Sequence, residues 1–310
     1  MACFFYRHIQ RIITPVKIQT SYLNKYLSLI CILLISAACS NDTAGTEVSA
    51  VEEVAPTPTE APMAARVNGE GILLTDYEEE LQRYQTAASD MGMEVTAETA
   101  QAQVLDYLIE QTLFKQAAQE NGYALSEQEL TQQLDELTLA RGGQENLDAY
   151  INENFYTPQS FRRTIARERA VIWMRNDLIE KMPATADQVH ARQILVDTEN
   201  EAIAVLRRLE VGTPFSELAY EYDPLTGGDL GWFPRGYLFQ PAVEEAAFAL
   251  QPGQVSGVVE TNYGYHILEV IERDPQHTLS GDALIETQRK AIENWLEERR
   301  TLSTIEIYVN

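Results

Sequence analysis

Gly227-Gly228-Asp229-Leu230-Gly231-Trp232-Phe233 is the stretch that decides how this chain folds. Three glycines within five residues mark backbone that turns tightly or lets another strand come close. Leu230, Trp232 and Phe233 make the same run a pocket wall or a core seed. Asp223-Pro224 stands just before it and Arg235-Gly236 just after. Upstream, Val189-His190-Ala191-Arg192-Gln193-Ile194-Leu195-Val196 reads as a strand. Downstream, Tyr263-Gly264-Tyr265-His266-Ile267-Leu268 reads as a strand with one polar ring among apolar neighbours. Three separated pieces thus offer polar groups from apolar frames, which is how a peptide-sized pocket is built.

Working outward, the pattern predicts strand 189–196, helices 199–210 and 214–221, strand 229–233, helix 241–249 and strands 255–260 and 264–271. That order describes an α+β domain with a small four-stranded antiparallel sheet. The glycine-rich run, Ala247-Phe248-Ala249-Leu250 and the 263–268 strand keep the order and approximate spacing of the PpiC-like parvulins. Residues 184–273 therefore resemble the parvulin family of peptidyl-prolyl cis/trans isomerases.

The resemblance implies a reaction that makes and breaks no covalent bond. Rotating an amide costs about 18–20 kcal/mol in lost resonance. A catalyst needs an apolar slot for the pyrrolidine ring and polar groups that favour the twisted amide. No cofactor and no metal is implied. By position, the slot is Leu230, Leu238, Val243 and Phe248, and the polar centre is Gln193, Asp223 and His266. The family usually has Met at 238 and Phe at 243. One residue is inserted around Phe239-Gln240. At the first family histidine this chain has Gln193, which bonds but neither titrates nor offers an imidazole. Reduced activity is the expected consequence. His190 cannot stand in for it, because positions 190 and 193 of a strand face opposite sides. The same facing sets aside a metal site built from His190, Asp223 and His266. Tyr263 and Tyr265 read as strand packing.

The first half is helical. Ala65 to Ile72 reads as a short strand broken by a turn. Thr75 or Asp76 then caps a helix bearing Tyr77, Leu81, Tyr84 and Ala88. Leu105, Leu108, Ile109, Leu113 and Ala117 line a helix over 97–120, ended by Asn121-Gly122. Ser126 and Glu129 form a capping box for a helix with Leu130, Leu134 and Leu137. Leu147, Tyr150 and Ile151 mark a short helix. Thr157-Pro158 opens another, with Phe161, Ile165, Ile172 and Ile179, which stops before Pro183. Residues 65–183 resemble the N-terminal chaperone domain of SurA-like and PrsA-like isomerases. Ser280 caps a further helix, with Ile285, Ile292, Leu296 and Trp295, and Thr304 to Val309 alternates like a strand. The resemblance implies that 274–310 returns to the chaperone domain, its last strand pairing near Val67. The parvulin domain is then an insert.

The front of the chain reads as an export signal over 1–38. Arg7, Arg11, Lys17 and Lys25 precede an apolar run from Leu27 to Ala38, too short for a membrane span. Ser36-Ala37-Ala38-Cys39 reads as a lipidation site, with plain secretion as the alternative. Residues 39–64 are a tether poor in apolar groups, with Pro56, Pro58 and Pro62. All three cysteines lie within the first 39 residues, so later residues hold no disulfide framework and no thiol nucleophile. The formal charge is −24. Setting the four leader cations aside leaves 19 basic against 47 acidic residues, or −28. Such a chain offers no basic face for phosphates, so nucleic acid is not an expected partner.

The combined expectation is an extracytoplasmic foldase, held at a membrane by an N-terminal lipid at Cys39. It would isomerise X-Pro bonds in exported, unfolded proteins and chaperone them. The alternative is a holdase whose impaired parvulin domain clamps peptides. A third reading, a scaffold lipoprotein, binds one folded partner.

Overall fold

The computed structural model describes residues 61–309. Cys39, the leader and most of the tether lie outside them. Strands β1 (Met63–Val67) and β2 (Glu70–Leu73) pair antiparallel through Asn68-Gly69. The helices of the first half are α1 (Leu74–Asp90), α2 (Ala97–Glu120), α3 (Glu127–Ala140), α4 (Gln144–Glu153) and α5 (Pro158–Glu180). The second half follows as β3 (Thr185–Val196), α6 (Glu199–Glu210), α7 (Phe215–Tyr222), β4 (Asp229–Pro234), α8 (Pro241–Ala249), β5 (Val259–Thr261) and β6 (Gly264–Thr278). The chain closes with α9 (Gly281–Thr301) and β7 (Ile305–Ile307).

Local sequence explains most helix ends. The Ser126 hydroxyl accepts from Glu129 N at 3.2 Å, while the Glu129 carboxylate accepts from Ser126 N at 2.8 Å. Thr157 and Ser160 make the same reciprocal pair ahead of Pro158, and Ser280 accepts from Ala283 N. The start of α1 departs from expectation. Its cap is Leu73, with no side-chain bond, and the Asp76 carboxylate instead takes Arg163 from α5. A tertiary ion pair has outbid the local cap.

The core of the helical half forms where α2 meets α5. Val104 rather than Leu105 is buried on α2, with Leu108, Ile109, Leu113, Phe114 and Ala117. Helix α9 docks on this pair: Ile292 joins Phe114, Val171 and Met174, and the Trp295 ring stacks on Phe114 at 4.9 Å. Ile285, expected on the packed side, is exposed. Strand β7 lies beside β1, with Ala65 opposite Ile307 and Val67 opposite Ile305, giving the order β2-β1-β7. Asn68 clasps the join: its main chain donates to Thr304 O at 2.8 Å, and its side-chain oxygen accepts from Thr304 N at 2.9 Å.

The second sheet has the order β4-β3-β6-β5, all antiparallel. It is packed on both faces. Val189, Ala191, Leu268 and Val270 meet α8 through Val243, Ala247 and Phe248. Ile194, Val196 and Ile267 meet α6 and α7 on the other side. The central ladder is longer than the periodicity indicated, reaching Thr185 opposite Thr278. Gln188 secures that extension by donating from its buried side chain to His277 O at 2.8 Å. The strand expected over 255–260 is shorter, at Val259–Thr261, with a single bridge from Val255 to Glu269. Ser256 interrupts it, because its hydroxyl rather than a carbonyl accepts from Leu268 N at 2.9 Å.

Candidate active site

Two neighbouring central strands supply the polar floor. Gln193 stands opposite Leu268, and His266 opposite Leu195, so both side chains fall on the α8 face of the sheet. There they meet: Gln193 Oε1 lies 2.8 Å from His266 Nδ1. Thr261, at the end of β5, brings its hydroxyl 2.8 Å from the other ring nitrogen, Nε2. With Oε1 accepting, Nδ1 carries the proton and Nε2 accepts from Thr261. Thr261 Oγ1 accepts in turn from Tyr263 N at 3.1 Å. His266 is 3 % exposed, and burial pushes its pKa below 6.5, so the ring is neutral at neutral pH.

Asp223 is handled differently. Its carboxylate accepts from Leu225 N at 3.1 Å, Thr226 N at 3.2 Å, Gly228 N at 3.3 Å and the Thr226 hydroxyl. Those bonds, led by the one from the Thr226 hydroxyl, hold its pKa below the ordinary carboxylate value. The structure thus brings together Gln193 and His266 and gives Asp223 to the loop beside them. The connection between them is Gly228. Gln193 N donates to Gly228 O at 2.9 Å, and a Cβ on Gly228 would sit 1.8 Å from Gln193 O. With φ at +68°, position 228 also favours glycine on backbone grounds. The glycine-rich run exists so that this loop can lie directly on β3.

The apolar residues divide into floor and rim. Val243 and Phe248 are buried in the core, where Phe248 meets Phe233 edge to face at 6.1 Å. Leu230 and Leu238 are half-buried and pack against that cluster from the open side. Glu244 fixes the loop that presents Leu238. Its carboxylate accepts from Gly236 N at 2.5 Å and Leu238 N at 3.0 Å, and Lys290 of α9 donates to Gly236 O. His190 is engaged elsewhere, with Nε2 2.8 Å from Asp229 Oδ1 and its ring beside Trp232.

Sequence reasoning missed Thr261 and Glu244. Thr261 was findable: it sits just before a two-residue turn that leads back to His266. Glu244 lay in plain helical context and carried no local signal.

Comparison with known proteins agrees with this geometry. Residues 184–272 match the PPIC-type PPIASE domain, and residues 21–173 match the SurA-like N-terminal domain. The foldase protein PrsA of Halalkalibacterium halodurans is 30 % identical over 291 residues, which cover 86 % of this chain and 76 % of that one. The chain belongs to the PrsA foldase family. It carries a parvulin-type peptidyl-prolyl isomerase domain together with a SurA-like helical domain. The PrsA foldase of Geobacillus kaustophilus is 31 % identical over 167 residues, 51 % of this chain and 59 % of that one. The chaperone SurA of Methylobacillus flagellatus is 32 % identical over 145 residues, 40 % of this chain and 33 % of that one. The chain thus spans a little over half of the Geobacillus foldase and a third of the SurA chaperone.

Proposed function

We propose that this PrsA-family foldase binds unfolded, exported proteins and isomerises their X-Pro bonds in the groove between α8 and the sheet. The observation that carries the reading is the bonded trio Gln193–His266–Thr261 beside the apolar rim of Leu230 and Leu238. The pyrrolidine ring would rest on Leu230 and Leu238, with Val243 and Phe248 beneath. Gln193 Oε1 is taken by His266, which leaves the Gln193 amide as a hydrogen-bond donor toward a twisting peptide bond. A neutral imidazole suits this task, since rotation about an amide needs no proton transfer. In this reading Gln193 preserves the floor that a second histidine would otherwise form, and Asp223 is a positioning residue that acts through Gly228.

The proposal extends to the whole chain. Residues 63–183 with 279–310 form the chaperone body, and 184–278 form the inserted isomerase, since β1 already starts at Met63 and β6 stays paired with β3 to Thr278 rather than ending at 273. Residues 1–38 are an export signal, and the tether expected over 39–64 ends at 62, because Met63 and Ala64 are already part of β1. Lipidation of Cys39 would hold the foldase at the outer face of a membrane, where clients arrive unfolded. No described helix is long and apolar enough to cross a membrane.

The test is refolding of a protein whose slow phase is limited by proline isomerisation. Wild type is expected to accelerate that phase, and Gln193→Leu and His266→Ala to lose most of the acceleration while still suppressing client aggregation. Wild type no faster than buffer, with aggregation suppressed, would leave a holdase that clamps peptides. Growth with radiolabelled fatty acid tests the anchor: label in wild type and none in Cys39→Ala is the expected pattern.

A further inference from the structure

Two aromatic rings stand in water beside Leu238 and Thr261, at the edge of the proposed groove. Phe239 is 82 % exposed and Tyr263 is 61 % exposed. They come from different elements, yet their rings meet edge to face at 6.1 Å and 73°. Phe239 follows Leu238 directly, on the loop that forms the proline rim. Tyr263 gives its backbone N–H to Thr261 Oγ1, the group that holds His266. The pair therefore bridges the apolar rim and the polar floor.

Neither ring rides on slack chain. The loop before Phe239 is fixed by the Glu244 carboxylate at Gly236 N and Leu238 N, and Pro241 starts α8 two residues later. Tyr263 sits in the short turn between β5 and β6. Large apolar groups held rigidly in water lose little freedom when a ligand covers them. Strand packing, the sequence reading of Tyr263, does not account for a ring this exposed.

The surrounding charges narrow the ligand. On the α8 face of the sheet Arg273 pairs with Asp187, and Arg235 lies over the Phe248 ring. These cations are engaged, so none is set aside for an acidic or phosphorylated side chain. We propose that Phe239 and Tyr263 form a specificity subsite that grips an aromatic side chain flanking the proline in the client. The inference rests on the isomerase reading of the neighbouring groove and adds the sequence context it favours.

The experiment uses the whole chain and short peptides of the form Ala-Xaa-Pro-Yaa, followed by NMR exchange for turnover and by shift titration for affinity. Phenylalanine, alanine, glutamate or lysine is placed before the proline in one series and after it in the other. An aromatic contact of this kind corresponds to a preference of about 3- to 10-fold for phenylalanine over alanine at one of the two places. In Phe239→Ser and Tyr263→Ser that preference is expected to fall to within about twofold, through KM rather than kcat, and Phe239→Leu to keep part of it. Both positions are exposed, and unchanged thermal unfolding would verify that the variants fold. Equal losses on all peptides, no loss, or a preference for lysine or glutamate would overturn the subsite. Absence of turnover with the binding preference intact would sink the isomerase reading and leave the subsite standing.

Discussion

The parvulin half and the helical half each bury a titratable side chain, and they treat it in opposite ways. His266 has a partner on both ring nitrogens and lies next to an open rim. Glu168 on α5 is 6 % exposed, and its Oε2 is buried with no hydrogen-bond partner in the protein. Burial pushes the Glu168 pKa up to about 7, against the opposing pull of Arg167, Arg169 and Arg83 and with Glu80 adding to the rise. Burial pushes His266 down. A fully bonded polar group reads as a built site, whereas a carboxyl with one buried oxygen unpartnered reads as a scaffold tolerating an acid that is about half protonated at neutral pH.

The largest way to break the contrast is Gly228→Ala. A methyl 1.8 Å from Gln193 O has no room, and the neighbour is backbone. The parvulin half is expected to lose about 3–5 kcal/mol in denaturant unfolding, with loss of isomerase turnover. The helical half should unfold as before. Second in size, His266→Ala is expected to lower kcat/KM about 100-fold on proline peptides. Thr261→Ala, which removes one buried bond to the ring, should lower it about tenfold. Equal effects from the two would mean that Thr261 does more than orient the imidazole.

Acid and base should pull the halves apart. For Glu168 the folded state holds its proton more tightly than the unfolded state. Stability of the helical half therefore falls as pH rises from about 4.5 to about 7 and is flat above. Glu168→Gln should raise it by about 1–3 kcal/mol at pH 8, with the gain vanishing near pH 4.5, as read from thermal unfolding. For His266 the unfolded state binds the proton more tightly. The parvulin half therefore loses stability as pH falls below 6.5, and His266→Asn should remove that part of the slope. The smallest effect is at a helix end. Thr157→Ala removes the cap of α5 and should cost about 1 kcal/mol in the helical half alone.

What the sequence made legible was what short-range physics decides. Ser126 with Glu129 and Thr157 with Pro158 announce helix starts, because a cap needs only its own first turn. Gln193 and His266 were legible as members of one polar centre only through the resemblance to parvulins, because the register of β3 against β6 that joins them is written in neither strand alone. Asp76 was misread as a cap because Arg163, far along the chain, competes for its carboxylate. Arg83 was not singled out at all. It is buried, tied to Glu80 and to the carbonyl oxygens of Asn154 and Phe155, and lies over the Tyr156 ring at 3.7 Å. Glu244 escaped notice for the same reason: its meaning lies in a loop that local pattern cannot fold.

The clasp between Asn68 and Thr304 spans 236 positions of chain. On the ribosome, β1 emerges early and waits for β7, while the whole isomerase insert is made in between. The insert can mature on its own schedule, and the body that carries it becomes complete only once β7 has been made. Until then β1 shows a bare edge along Ala65 to Val67, so a newly made foldase is for a moment the kind of unfinished protein that foldases attend to.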